Sequence, residues 1–177
     1  MSLGQKQEAA LRIGKEFEPY IIKKYPSGNW ALVLNPKQVP YVGRCVAWWL
    51  DHCPGEGERM TPHDLPRAER DELFEEIWGD AVKACQALGY NTEPYGKDFL
   101  LNMAYLANEE GHNHHMHWHF VPRTRVPLRV EALLGQIFED IAWGQNYASI
   151  RQRPLDGPDE ALIIRDTMAE AIGGIVH

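Results

Sequence analysis

Apolar and polar positions along this chain recur with two periods, and the local period sets the element expected. Over residues 5–24, Leu11, Ile13, Phe17, Tyr20 and Ile21 fall roughly at helical spacing among Lys and Glu, which predicts an N-terminal helix closed by Pro26-Ser27-Gly28. Residues 29–34 are short and β-rich, a strand, and the two prolines of 35–40 make a turn-forming loop. A second strand is expected at 44–50, followed by a loop at 54–58. From about 66 to 88 one apolar stripe (Leu73, Phe74, Ile77, Trp78, Ala81, Val82, Cys85) predicts a long helix, with Gly89 as its C-terminal cap. A third strand follows at 98–107, then a polar turn at 108–111.

The next stretch carries the sharpest pattern. In His115-Met116-His117-Trp118-His119-Phe120-Val121-Pro122-Arg123, imidazoles alternate strictly with bulky apolar side chains. A period of two belongs to a strand, so Met116, Trp118 and Phe120 project into a core and His115, His117 and His119 share the opposite face. Pro122 cannot donate to a ladder, so the strand is expected to end there. Residues 125–143 read as a helix on Leu128, Val130, Leu133, Leu134, Ile137, Phe138 and Ile141. A linker at 151–157 precedes a last helix, opened by Pro158 and ending near Gly173-Gly174. Strand pairs separated by a helix predict an α+β domain with a mostly antiparallel sheet, a long helix between the strand pairs, and N- and C-terminal helices.

At 177 residues the chain is long enough for one domain with its own core. The net charge of −7 argues against a nucleic-acid polymer as partner, because neutralising phosphates needs a basic face. No apolar run approaches a membrane span and no signal pattern opens the chain. Cys45, Cys53 and Cys85 form no CxxC pair and fit a reducing compartment. The expectation is a cytoplasmic enzyme or binding protein.

Three imidazoles on one strand face suit nucleophilic chemistry on phosphorus. A neutral imidazole attacks well near neutral pH, and the phospho-histidine it forms is later opened by water. Flanking imidazoles can hold the tautomer and supply a proton to the departing oxygen. A rival reading uses His112, His114, His117 or His119 as metal ligands, since alternate strand positions can reach one ion. No Asp, Glu or Cys stands in ligand register after the histidines, and Glu109 and Glu110 precede them in a loop. The plainest reading is a polar, histidine-rich edge strand.

The His-x-His-x-His run with the ending His117-Trp118-His119-Phe120-Val121-Pro122-Arg123 resembles the signature of the histidine triad (HIT) superfamily, in particular its hydrolase branches. Upstream, Leu32-Val33-Leu34-Asn35, a loop with two prolines, and Gly43 to His52 resemble the family's order, with Arg44 and Trp49 where a His and a Pro are the rule. Asn102 and Asn108 resemble an Asn-x5-Asn arrangement. The likeness covers roughly residues 29–123.

The resemblance implies a HIT-like nucleotide-binding catalytic domain over 1–126 and a helical extension over 127–177 packed on it. It implies a dinucleoside polyphosphate hydrolase-like enzyme, or a nucleotidyl transferase, cleaving a phosphoanhydride or phosphoramidate at the α-phosphate through a nucleotidyl-histidine intermediate. It leaves dinucleoside polyphosphates, nucleoside phosphoramidates and nucleotidyl conjugates all open as substrates. His117 becomes the nucleophile, His119 contacts phosphoryl oxygens and helps protonate the leaving group, and His115 with His52 fixes ring orientation. Asn35 reaches ribose hydroxyls, although it reads equally as a turn residue before Pro36. Asn102 and Asn108 are substrate contacts or plain strand and turn residues. Gly111-His112-Asn113-His114 replaces the family's phosphate-binding segment, so His112, Asn113 or backbone N–H groups take that role. Arg123 is expected to pair with a carboxylate at the surface. No cofactor is required, a divalent metal can accompany the substrate, and a homodimer is implied, with Trp48-Trp49 or the long helix as its interface. A nucleotide-binding module without turnover is the further alternative.

Overall fold

A computed structural model of the chain describes residues 17–50, 63–105, 116–146, 151–157 and 159–175. Five strands form one sheet: β1 (Ile21–Lys24), β2 (Trp30–Leu34), β3 (Cys45–Trp49), β4 (Phe99–Tyr105) and β5 (His117–Thr124), in the order β1-β2-β3-β5-β4. Every neighbouring pair is antiparallel, so the chain is α+β with an antiparallel sheet. Between β3 and β4 run three consecutive helical segments: α1 (Arg67–Asp71), a π-helical stretch (Glu72–Ile77) and α2 (Trp78–Ala87). A small hairpin of β6 (Leu128–Val130) and β7 (Gln136–Phe138) follows β5, and α3 (Glu160–Ala171) closes the fold.

One face of the sheet carries the core. Trp30, Trp49, Trp118 and Phe120 pack there, Trp30 edge-on to Trp118 at 5.6 Å and Trp78 edge-on to Phe120 at 5.8 Å. The same buried cluster takes in Ile77, Ala81 and Cys85 from the helix and Ile164 and Met168 from α3. It also includes Leu128, Val130 and Leu133, so the segments on either side of residue 127 share a single core. The aromatic side chains are large and their burial dominates the hydrophobic stabilisation.

Several expectations are corrected. The N-terminal helix does not reach 24. Residues 5–16 lie outside the described residues, Glu18–Tyr20 is a short 3-10 turn, and Ile21–Lys24 is an edge strand. Pro19 cannot sit inside a helix without removing a hydrogen bond and clashing with the preceding turn, and Ile21-Ile22 favour extended backbone. The helix expected at 125–143 is the β6–β7 hairpin. Leu128 and Val130 bury alternately, and Leu134 and Gly135 turn the chain with φ of 54° and 75°. The two positive φ values make the tight reversal that joins twisted strands. The C-terminal extension is therefore part hairpin, with a 3-10 turn at Glu131–Leu133 between its strands, and α3 is its one α-helix among the described residues.

Phe74, expected in the buried stripe, is 54 % exposed. The π-helical stretch widens the turn and moves the phase of the stripe onto Leu73 and Ile77. The inward side of this helix also carries carboxylates. Ser27 Oγ donates to Glu72 Oε2 at 2.5 Å and Asn29 Nδ2 to Glu69 Oε1 at 2.5 Å, which ties the β1–β2 turn to the helix. β5 runs past Pro122 to Thr124. Its partnership with β3 ends at Phe120, so beyond that point only β4 pairs with it and a missing donor on the open side costs little.

The loop between β2 and β3 is held by one buried amide. Gln38 accepts from Gly43 N–H at 2.6 Å through Oε1 and donates through Nε2 to the carbonyls of Arg44, at 2.9 Å, and Asn35. Gly43 has φ of 86° and a Cβ there would lie 2.7 Å from Leu88 Cδ1, so the position requires glycine. Gln38→Ala leaves a buried N–H and carbonyl unmet and is expected to cost about 2 kcal/mol, read from urea denaturation midpoints. Unchanged stability would show that the loop is held in some other way.

Candidate functional site

The face opposite the core holds the histidines. Register across the strands sets side chains in rows: Ala31, Trp48 and His117 in one, then Val33, Val46, His119 and Ala104 in the next. A third row continues the same alternation. Asn35 N–H donates to Arg44 O at 3.0 Å at one end, and Val121 stands opposite Asn102 at the other. Met116, Trp118 and Phe120 are buried in the core while His117 and His119 are only half-buried, as the period of two requires. A small apolar cluster of Ile21, Ala31, Val33 and Leu50, with Phe17, Tyr20 and Trp48 against it, floors the same face.

His117 and His119 stand with ring centroids 5.0 Å apart at 76°. Trp48 stacks on His117 at 5.8 Å and 26°, and Phe17 tilts against Trp48 at 6.0 Å. The decisive contact is between Arg44 and His119: Arg44 Nη2 lies 3.3 Å from His119 Nδ1. A guanidinium can only donate, so Nδ1 is the accepting nitrogen and the ring hydrogen of neutral His119 sits on Nε2. Burial, then the Arg44 charge, then His117, push the His119 imidazolium down to about 3. At neutral pH this ring is an uncharged donor through Nε2–H.

The shift has a sign in stability. The unfolded chain takes up the proton near pH 6.5 and the folded chain only near 3, so lowering the pH between those values favours unfolding. The slope from this group is up to about 1.4 kcal/mol per pH unit. Its contribution is fully present above about pH 6.5. His119→Gln is expected to flatten the loss between pH 6.5 and 5, above the carboxylate range, in thermal melts of the two proteins. Parallel curves would disprove the neutral ring.

Against known proteins, the chain matches no family model, no curated protein and no solved structure.

The other sequence-derived candidates divide. His115, His52, Asn108, His112 and Asn113 lie outside the described residues, as does His114. Asn102 is on the histidine face, one diagonal step from His119. Asn35 reaches the same face, but its Oδ1 accepts from Lys37 N–H at 2.9 Å, so it caps a turn before it does anything else. Arg123 pairs with a carboxylate, as expected, yet not at the surface. Its Nε lies 2.5 Å from Asp140 Oδ2, and the two side chains are 3 % and 2 % exposed. It also donates to the carbonyls of Gln145, at 3.2 Å, and Ala142, and lies over the Tyr41 ring at 5.2 Å. Because Arg123 follows His119 and Val121 on the same face, residues 140–145 are drawn over one end of that face.

Arg44 is the participant that sequence reasoning passed over, visible only as a departure from the resembled pattern. Trp48 is the second, stacked on His117, while its neighbour Trp49 is buried in the core. Among the described residues no three His, Cys, Asp or Glu are placed to hold a metal ion. No helix among them is long and apolar enough to cross a membrane.

Proposed function

We propose that the protein is a HIT-like nucleotide hydrolase or nucleotidyl transferase working through a covalent nucleotidyl-His117 intermediate. The observation that supports this most is the pair of adjacent, half-buried imidazoles on one strand face, one stacked on Trp48 and the other fixed in its neutral tautomer by Arg44. In the first step a His117 nitrogen bonds to the α-phosphorus, and the bond from phosphorus to the leaving oxygen breaks with its electron pair going to that oxygen. In the second step water attacks the same phosphorus, the nitrogen–phosphorus bond opens, and the water's proton passes to solvent.

His119 serves this scheme as a hydrogen-bond donor to a phosphoryl oxygen rather than as a charged acid, with the Arg44 cation behind it favouring the negative charge that develops. A phosphoanhydride leaving group needs little protonation, so the arrangement favours dinucleoside polyphosphates over phosphoramidates. The orienting roles of His115 and His52, the ligand roles of Asn102, Asn108, His112 and Asn113, a divalent metal travelling with the substrate, and a homodimer belong to the same proposal.

Mass spectrometry of protein quenched during reaction with a diadenosine polyphosphate tests it. A single nucleotidyl adduct on His117 is the expected result. Turnover with no adduct at any histidine would refute the covalent route. Tight nucleotide binding, seen as a raised melting temperature, with neither adduct nor turnover would assign a binding module instead.

A further inference from the structure

The chain is acidic overall, at −7, yet one cleft gathers cations. It has a volume of about 700 Å³ and is lined by Lys37, Arg151, Gln152, Arg153 and Pro154, with no carboxylate among them. That volume is in the range of small-molecule sites. Its two walls are fastened to each other. Val39 N–H donates to Arg153 O at 2.9 Å and Arg153 N–H returns to Val39 O at 3.1 Å, a two-residue antiparallel bridge. Lys37 is set by the Asn35 turn on the same side. Arg153 therefore projects from a paired backbone and Lys37 from a held turn, which lowers the cost of ordering these two around a ligand.

We propose that this cleft binds a small molecule bearing two or more linked phosphates, its oxygens shared among Lys37, Arg151 and Arg153. Guanidinium forks match phosphate oxygens in pairs, and lysine adds a point charge that can follow either of them. One carboxylate competes: Arg153 Nη1 lies 2.9 Å from Asp156 Oδ1, and the Asp156 side chain is 93 % exposed. An entering phosphate replaces that exposed partner at small cost, because surface ion pairs are weak. A long nucleic acid is disfavoured by the chain's net charge of −7. The inference stands apart from the reading of the histidine face.

Tripolyphosphate binding, followed by isothermal titration calorimetry in low and moderate salt, tests the cleft. The double variant Lys37→Ala/Arg151→Ala is expected to bind about tenfold more weakly, and Asp156→Asn more tightly than the parent. His119→Ala, which removes the phosphate donor of the histidine face, is expected to bind tripolyphosphate as the parent does, which keeps this result separate from the fate of the histidine proposal. The exposed positions leave folding intact, checked by melting temperature. Equal affinity in the double variant, or loss of binding in His119→Ala alone, would overturn the proposal. So would citrate binding as tightly as tripolyphosphate.

Discussion

His117→Ala is expected to lower turnover of a diadenosine polyphosphate by about 10³-fold or more, with KM changed far less. The methyl group cannot form the bond to phosphorus, so the two-step route closes and only direct attack by water is left. The neighbours that bind and polarise the phosphate, Arg44 and the Nε2–H of His119, stay in place. Substrate binding should then persist, and the loss should fall on kcat. His119→Ala removes the Nε2–H donor rather than the nucleophile and should cost about 10²–10³-fold. If His117→Ala turns over substrate as well as the parent does, the nucleophile is elsewhere and the proposed function is wrong.

Asp140→Ala should be the most destabilising single change at the far end of the same face, by about 3–5 kcal/mol. The pair is almost wholly buried, and Arg123 receives the carboxylate through two nitrogens, at 2.5 Å from Nε and 3.1 Å from Nη2. Removing the carboxylate leaves a guanidinium in the interior with carbonyl partners and no counter-charge. In a chain of this size such a loss lowers the melting temperature by about 10 °C. Replacing both partners with apolar residues of similar volume, as in Arg123→Met/Asp140→Leu, should recover much of the stability. A double variant no better than Asp140→Ala would mean that the carbonyl contacts, not the charge, hold this end together. The segment held by Arg123 carries Ala142, which is buried, so the single variant should also loosen the packing of that segment.

How far the sequence could be read depended on whether a pattern was local. The alternation from Met116 to Phe120 survives intact, because successive Cβ atoms on a strand point to opposite faces whatever the strand pairs with. The stripe through Ile77, Ala81 and Cys85 survives for the same kind of reason. Phe74 fails because a widened turn changes the phase, which no fixed period anticipates. The hairpin at Leu128–Phe138 hides in the sequence because seven apolar residues between Leu128 and Ile141 also satisfy a helical template, and the Leu134-Gly135 reversal is what excludes it. Pro19 carried a signal against a continuous N-terminal helix that the apolar spacing outvoted.

The candidate site divides along the same line. Alternation alone determined that His117 and His119 share a face and that Trp118 and Phe120 face the core, since backbone geometry over a few residues suffices. That Arg44 meets His119 across 75 residues of chain, that Trp48 stacks on His117, and that Arg123 is buried against Asp140 was decided by tertiary structure. Those contacts depend on which strands pair and in what register, and register follows from packing the whole sheet against its helices rather than from any one segment.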